Sequence, residues 1–157
     1  MHIPKTGGSA IRITLSGENK LYTSKSFKSL RFENKIYFND HNFKLSDCLD
    51  DERIFFSFRD NITRFQSAFY SRKRCGKPLN NVPWNDLEKI VFSNFNSPDD
   101  FVQAIIRDEK YLGGCNQKSA RTLFMDIPIF SRGYSYYFKD IEYLETKKKN
   151  IFYILNI

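Results

Sequence analysis

A run near the start of the chain, HIPKTGGSAIR, combines residue types that bind phosphate. Two adjacent glycines let backbone N–H groups approach an oxyanion closely, and a helix beginning behind them would add positive potential. We therefore predict an anion-binding loop made of Pro4, Lys5, Thr6, Gly7, Gly8, Ser9 and Ala10. The alternative is an ordinary surface turn, because glycine and serine are common in turns.

A second corner of the chain follows the apolar run RIFFSF, which is typical of an interior strand. In the next segment, RDNITRFQSAFYSRKR, four residues recur at helical spacing, which are Phe65, Ala68, Phe69 and Arg72. Asp60 or Asn61 would cap this helix. The pattern predicts that Arg59 ends a strand and that Ser67 lies about two helical turns further on.

Together these corners resemble the nucleotide-binding motifs of sulfotransferases that use 3′-phosphoadenosine-5′-phosphosulfate (PAPS). HIPKTGGSAI is similar to the 5′-phosphosulfate loop of that family, and FRDNITRFQSAFY is similar to its 3′-phosphate motif, Arg-Asp-Pro-x-x-Arg-x-x-Ser-x-Tyr. The two motifs occur in the family's order and resemble in particular carbohydrate sulfotransferases of the heparan-sulfate 2-O type and their bacterial counterparts. Asn61 replaces the usual Pro and Phe69 the usual Tyr. The similarity covers the first half of the chain well and the second half faintly.

The resemblance implies PAPS as the donor and assigns roles around it. Lys5 would stabilise the negative charge that develops on the leaving phosphate, with the hydroxyls of Thr6 and Ser9 as further donors. Arg59 and Ser67 would bind the 3′-phosphate, the guanidinium through two parallel hydrogen bonds. We expect the second arginine of the motif, at position 64, to support the structure rather than contact the ligand.

The acceptor hydroxyl needs a general base, and the chain has only two histidines. His41 follows KIYFND and lies 18 residues before Arg59, which matches the place of the catalytic histidine in the 2-O type enzymes. An imidazole titrates near neutral pH and suits proton abstraction there. The alternative is that His41 is one polar residue of the loop NDHNFK. We expect His2 to be structural.

Composition limits the class of protein. The 157 residues fit one domain, and 41% hydrophobic with 17% aromatic residues predicts a globular chain. A net charge of +7 favours an anionic partner, which could be a nucleotide, a nucleic acid, an acidic glycan or a membrane surface. Three widely spaced cysteines indicate neither a disulfide framework nor a zinc site, so no metal and a cytoplasmic, reducing compartment are expected. No apolar run reaches the roughly 18 residues of a membrane span.

The remaining chain alternates predicted strands and helices. The predicted helices are SAIRITLSG, WNDLEKIVFSN and SPDDFVQAIIRDE, and the predicted strands besides RIFFSF are KLYTS, KIYFN and NIFYILNI. This order predicts one α/β domain over residues 1–157, with a mainly parallel sheet flanked by helices. The resemblance adds a P-loop-like sulfotransferase fold. Only Met1 precedes His2, so we expect part of the family's first strand to be missing. Either the true start lies upstream, or the chain is a fragment, or the sheet forms without that strand.

Two other functions remain open. A P-loop phosphotransferase carries G-x-x-x-x-G-K-[ST], with lysine after the glycines, whereas Lys5 precedes Gly7 and Gly8. The second is a non-catalytic or degenerate nucleotide-binding domain. We expect a small nucleotide donor and a glycan acceptor as partners, and no nucleic acid. Candidate contacts to an acidic glycan are Gln117, Lys118, Arg121 and Arg132.

Overall fold

A computed structural model describes residues 3–8, 10–11, 14, 30–31, 37–38, 41–113 and 116–156. In chain order the elements are β1 (Leu30–Arg31), β2 (Tyr37–Phe38), β3 (Ile54–Phe58), α1 (Asn61–Lys73), α2 (Asp86–Asn94), α3 (Pro98–Ile106), β4 (Lys110–Gly113), β5 (Asn116–Ser119), α4 (Ala120–Asp126), α5 (Pro128–Ser131), α6 (Tyr134–Phe138), α7 (Ile141–Thr146) and β6 (Ile151–Asn156), with 3-10 helices at Leu45–Asp47 and Lys148–Asn150. The predicted mixture of helices and strands is confirmed.

The chain divides into two compact units. The first contains Met1–Asn61 and Arg132–Ile157, and the second contains Ile62–Ser131. The assignment of all 157 residues to one domain therefore stays a prediction. Each unit has its own hydrophobic core and is described separately.

Strands of the first unit form two pairs. β3 lies parallel to β6, with Phe55 opposite Tyr153 and Phe58 opposite Asn156, while β1 and β2 are antiparallel. The predicted strands RIFFSF and NIFYILNI are thereby confirmed, and KIYFN contains β2. KLYTS and the end of SAIRITLSG lie outside the described residues. A mainly parallel sheet is not confirmed, because the pairings of the described residues are one parallel and two antiparallel.

The core of the first unit packs the start of the chain against β3 and α6. Its buried members are Ile3, Leu45, Cys48, Ile54, Phe56 and Tyr137.

The first unit also buries the polar side chain of Asn150, which is 2% exposed. Its Nδ2 donates to the carbonyls of Leu49, Asp50 and Glu52 at 2.9–3.2 Å. The two N–H protons of this amide are thus shared among three backbone acceptors in the turn that leads into β3.

Two helices of the second unit begin at reciprocal caps. The side chain of Ser97 accepts from the backbone N–H of Asp100 at 3.1 Å, and the Asp100 carboxylate accepts from the Ser97 N–H. Asn85 and Glu88 repeat the arrangement at the start of α2. Such a cap satisfies two backbone donors that a helix start leaves without partners. Both segments, WNDLEKIVFSN and SPDDFVQAIIRDE, were predicted to be helical, and both predictions are confirmed.

The core of the second unit is mostly aromatic. Ala68 and Phe69 of α1 are fully buried, as their spacing predicts, and the other buried phenylalanines are Phe92, Phe95, Phe101 and Phe130. Arg72, at the next position of the same face, forms a two-point ion pair with Glu88, at 2.5 Å from Nε to Oε1 and 2.7 Å from Nη2 to Oε2. The hydrogen bonds to Glu88 raise the pKa of the Arg72 guanidinium above its ordinary value.

Among the described residues, no helix is long and apolar enough to cross a membrane.

Candidate functional site

The predicted phosphate loop is a tight turn that leads into helical residues. Lys5 and Gly7 have left-handed backbone conformations, with φ of 65° and 74°. Gly8, Ala10 and Ile11 are helical, and the N–H of Ile11 donates to the Gly7 carbonyl at 3.1 Å. A left-handed lysine is uncommon because its Cβ crowds the backbone, whereas glycine tolerates this conformation. Turns of this kind at a helix start direct backbone N–H groups to one point, as an anion requires.

Thr6 has a different role from the one expected of its hydroxyl. The residue is fully buried, and its Oγ1 donates to the Ile3 carbonyl at 2.8 Å and lies 2.9 Å from Ser57 Oγ. Ser57 Oγ in turn donates to the Thr6 carbonyl. A hydroxyl has a single proton, so the side chain of Thr6 holds the loop rather than a phosphate. Any contribution of Thr6 to ligand binding would come from its backbone N–H.

The contact between Thr6 and Ser57 brings the two sequence motifs together within the first unit. Ser57 lies on β3, two residues before Arg59, while Lys5 immediately precedes Thr6. Both Lys5 and Arg59 are half-buried. Lys5 and Arg59 are more than fifty residues apart in sequence, but each lies within two residues of a member of the buried contact between Thr6 and Ser57.

The backbone of Arg59 is held by a tyrosine of α6. The Tyr134 hydroxyl accepts from the Arg59 N–H at 2.9 Å and donates to the Arg59 carbonyl. Its ring lies 5.5 Å from the Phe58 ring and 6.2 Å from the Phe138 ring, measured between centroids. This pair of hydrogen bonds satisfies both backbone groups of Arg59 just beyond the end of β3. It thereby fixes the position of the Arg59 backbone, from which the side chain extends.

The other motif residues lie on α1. The helix begins at Asn61, which leaves Asp60 at the N-cap position, one of the two residues predicted for it. In the second unit, Arg64 is 5% exposed and Ser67 is half-buried. The structural role expected of Arg64 stays a prediction. That Ser67 shares one phosphate with Arg59 stays a prediction.

His41 is an exposed residue in a loop fixed through its backbone. Its carbonyl accepts hydrogen bonds from Arg132 Nη1 and from the Tyr137 hydroxyl, both at 3.4 Å. Arg132 Nη1 also donates to Asn42 Oδ1 at 2.9 Å. This arrangement leaves the imidazole accessible to solvent, as a base acting on an external hydroxyl requires. Its catalytic role stays a prediction.

The remaining predicted site residues differ in their surroundings. Pro4 and Gly8 are buried, Ala10 is exposed, and Ser9 lies outside the described residues. Lys118, a candidate glycan contact, pairs with Asp126 at 2.8 Å. Within the described ranges, no cluster of His, Cys, Asp and Glu is placed to hold a metal ion.

Sequence reasoning missed Ser57 and Tyr134. Ser57 interrupts the apolar run of β3, and a small hydroxyl residue within an interior strand was the available signal. Tyr134 lies in RGYSYYFKD, where nothing in the sequence distinguishes it from its neighbouring tyrosines.

No family model, no curated protein and no solved structure matches this chain. The resemblance to PAPS-dependent sulfotransferases therefore rests on the two motifs themselves.

Proposed function

We propose that this chain binds PAPS and transfers its sulfuryl group to a hydroxyl, in particular one of a carbohydrate. The observation that carries the proposal is the buried contact of Thr6 with Ser57, whose hydroxyl oxygens lie 2.9 Å apart and in which Ser57 Oγ donates to the Thr6 carbonyl. It attaches the loop that resembles a phosphosulfate site to the strand that ends at Arg59. Two motifs that a single ligand would need to contact are joined by a buried contact rather than by sequence proximity.

The residues at this junction fit the phosphate groups of such a ligand. The loop offers a positively charged side chain at Lys5, a glycine with a left-handed backbone at Gly7 and the start of a helix at Gly8. These features favour an anion through charge and through converging N–H groups. Arg59 adds a planar guanidinium, which suits two-point binding of a phosphate. On the sequence motif, Ser67 would donate to the same 3′-phosphate.

Bound PAPS would supply an activated sulfuryl group whose transfer leaves negative charge on the departing phosphate oxygen. Lys5 would stabilise that charge with its ammonium, and the loop backbone would hold the 5′ end in position. His41 would accept the proton of the attacking hydroxyl at an imidazole nitrogen. The proposal requires no metal ion, because cationic side chains compensate the charge.

The proposal also implies a more specific fold, a P-loop-like α/β arrangement with a mainly parallel sheet. The parallel pairing of β3 with β6 and the direct passage from β3 into α1 support this expectation. In such sheets ligands bind beyond the carboxyl ends of the strands. Arg59 immediately follows the carboxyl end of β3.

Calorimetric titration with 3′,5′-adenosine bisphosphate tests the donor site, with ADP as the control ligand. The two nucleotides carry the same base and the same number of phosphates, so a difference in affinity reports the 3′-phosphate. We expect the 3′,5′-bisphosphate to bind more tightly, and Arg59→Ala to remove about tenfold or more of that preference. Arg53→Ala is the matched control, because Arg53 is exposed and precedes the same strand.

Equal affinity of a folded chain for both nucleotides would contradict the proposal. Tight binding of the bisphosphate without sulfuryl transfer from PAPS to any hydroxyl acceptor would instead support the non-catalytic nucleotide-binding alternative. Transfer that is lost in His41→Ala while nucleotide binding persists would support His41 as the base.

A further inference from the structure

The first unit contains a cavity of about 430 Å³ next to the loop that carries His41. Its walls come from the 3-10 helix at Leu45–Asp47, from α6 and from the first half of α7. The lining residues are Lys44, Ser46, Ser135, Tyr136, Tyr137, Phe138, Lys139 and Tyr143. This volume lies in the range of small-molecule sites. None of the lining residues belongs to the loop at residues 3–8, to β3 or to Arg59.

The cavity is cationic and has aromatic walls. Lys44 Nζ lies 4.6 Å from the centroid of the Tyr136 ring, and Lys139 Nζ lies 5.5 Å from that of the Tyr143 ring. The face of an aromatic ring attracts an ammonium without neutralising its charge. Both ammonium groups are thus held beside aromatic rings that line the cavity.

Carboxylates do not compensate these lysines. The lining includes no Asp or Glu, and neither lysine is part of an ion pair among the described residues. The nearby Asp47 carboxylate accepts from the Lys44 backbone N–H at 2.8 Å and from the Ser46 hydroxyl at 3.2 Å. Each of its two oxygens thus already accepts one hydrogen bond from the turn.

A third cation increases the positive potential. The guanidinium carbon of Arg132 lies 4.6 Å from the same Tyr136 ring, and Arg132 is fixed by its hydrogen bond to Asn42. Three cations around two rings attract an anion through their summed charge. The cavity concentrates this positive charge at a surface that also offers serine hydroxyls and flat apolar faces.

We propose that this cavity binds a small ring compound that carries an oxyanion group, which can be a sulfate, a phosphate or a carboxylate. The oxyanion lies between Lys44 and Lys139 and accepts from the hydroxyl of Ser135, and the ring packs on Tyr136 or Tyr143. This site is separate from the proposed nucleotide loop, and the proposal stands whether or not the chain binds PAPS.

Titration calorimetry with two pairs of probes tests the site. 4-Nitrophenyl sulfate is compared with 4-nitrophenyl glucoside, and glucose 6-sulfate is compared with glucose. We expect the anionic member of at least one pair to bind and its neutral partner not to bind, and the pair that responds identifies the ring as aromatic or saccharide. Equal binding of anionic and neutral members in both pairs, or no binding at all, would overturn the proposal.

Charge variants at the cavity distinguish the site from general electrostatic attraction. Lys44→Gln and Lys139→Gln should each weaken binding of the anionic probe about fivefold, and the double variant should weaken it more than either single variant. Lys149→Gln is the matched control, because it removes the same charge from an exposed lysine outside the lining. Equal weakening by all three single variants would overturn the proposal. So would weakening by Arg59→Ala with none by Lys44→Gln, since the anion would then bind at the nucleotide loop.

Discussion

The hydroxyl oxygens of Thr6 and Ser57 lie 2.9 Å apart in the core of the first unit, although 51 residues separate them in sequence. Thr6 is fully buried and Ser57 is 4% exposed. Each hydroxyl also donates to a backbone carbonyl, Thr6 to Ile3 and Ser57 to Thr6. The loop after Ile3 is thereby attached to β3 through buried polar groups, whose loss would leave acceptors without partners.

Replacing Thr6 by valine should destabilise the chain and loosen this attachment. Valine keeps the shape of threonine but removes the hydroxyl, so the Ile3 carbonyl loses its buried donor and the Ser57 hydroxyl loses a polar neighbour. We expect a loss of about 1–3 kcal/mol in the free energy of unfolding, measured by chemical denaturation. Thr6→Ser keeps the hydroxyl and is the control. Equal losses in the two variants would show that the methyl group, rather than the hydrogen bonds, matters at this position.

Tyr134→Phe should reduce the preference of the chain for 3′,5′-adenosine bisphosphate over ADP while lowering the free energy of unfolding only slightly. The change removes only the hydroxyl that bonds both backbone groups of Arg59, and it retains the ring contacts with Phe58 and Phe138. We expect a stability loss of about 1 kcal/mol and a reduced preference for the bisphosphate over ADP. The selectivity is the informative quantity, since general destabilisation would affect both nucleotides alike.

Tyr70→Phe provides the control for that experiment, because Tyr70 is 44% exposed and belongs to the second unit. It should change neither quantity. A Tyr134→Phe variant with unaltered nucleotide selectivity would exclude Tyr134 as a positioning residue for Arg59.

Glu88→Ala should be among the most destabilising changes in the second unit. The Glu88 side chain is 6% exposed, pairs with Arg72 through two hydrogen bonds and completes the cap at Asn85. Its removal leaves a largely buried guanidinium without its carboxylate, which costs about 3–5 kcal/mol. Asp86→Asn, at an exposed ion pair of the same helix, should have little effect on the denaturation midpoint. Similar midpoints for the two variants would contradict this account.

Alkaline pH should destabilise the second unit through Tyr111. Burial raises the pKa of the Tyr111 phenol to about 12, and the hydrogen bond to Glu109 and the charge of that carboxylate act in the same direction. The folded-state pKa therefore exceeds the ordinary value of about 10. The stability that follows from this shift is fully present below about pH 10 and is lost as the pH rises towards 12.

Denaturation of the wild-type chain and of Tyr111→Phe across this pH range measures that contribution. The wild-type chain should lose stability more steeply than Tyr111→Phe above about pH 10, because phenylalanine has no proton to release. Parallel curves for the two proteins would contradict the assignment.

Local features of the fold could be predicted from the sequence. The helix beginning after Ser97 is specified by a capping serine, a proline at the first position and two acidic residues, all within four positions. Features that depend on distant partners could not. The hairpin of β4 and β5 pairs Tyr111 with Lys118 although Asn-Gln-Lys-Ser has little intrinsic strand preference, and α5, α6 and α7 are too short to show a helical period.

In the candidate site, too, the local features could be predicted from the sequence and the contacts between distant segments could not. The glycines of the loop and the arginine at the strand end are visible as motifs, because each motif is continuous in sequence. The burial of the Thr6 hydroxyl and the contact of Tyr134 with Arg59 depend on segments brought together by packing. The residue type alone therefore predicted a contact of the Thr6 hydroxyl with the ligand, whereas in the folded chain this hydroxyl contacts the Ile3 carbonyl and Ser57.

The most direct test of the central claim follows the backbone amide signals of Gly7 and Arg59 by NMR during a titration with 3′,5′-adenosine bisphosphate. If the loop and the end of β3 form one nucleotide site, both signals should shift along the same saturation curve, with one dissociation constant. The same concentration of ADP should shift Gly7 but move Arg59 much less, because ADP has no 3′-phosphate. Saturation of the two signals at different concentrations, or no shift at either residue in a folded chain, would contradict the claim.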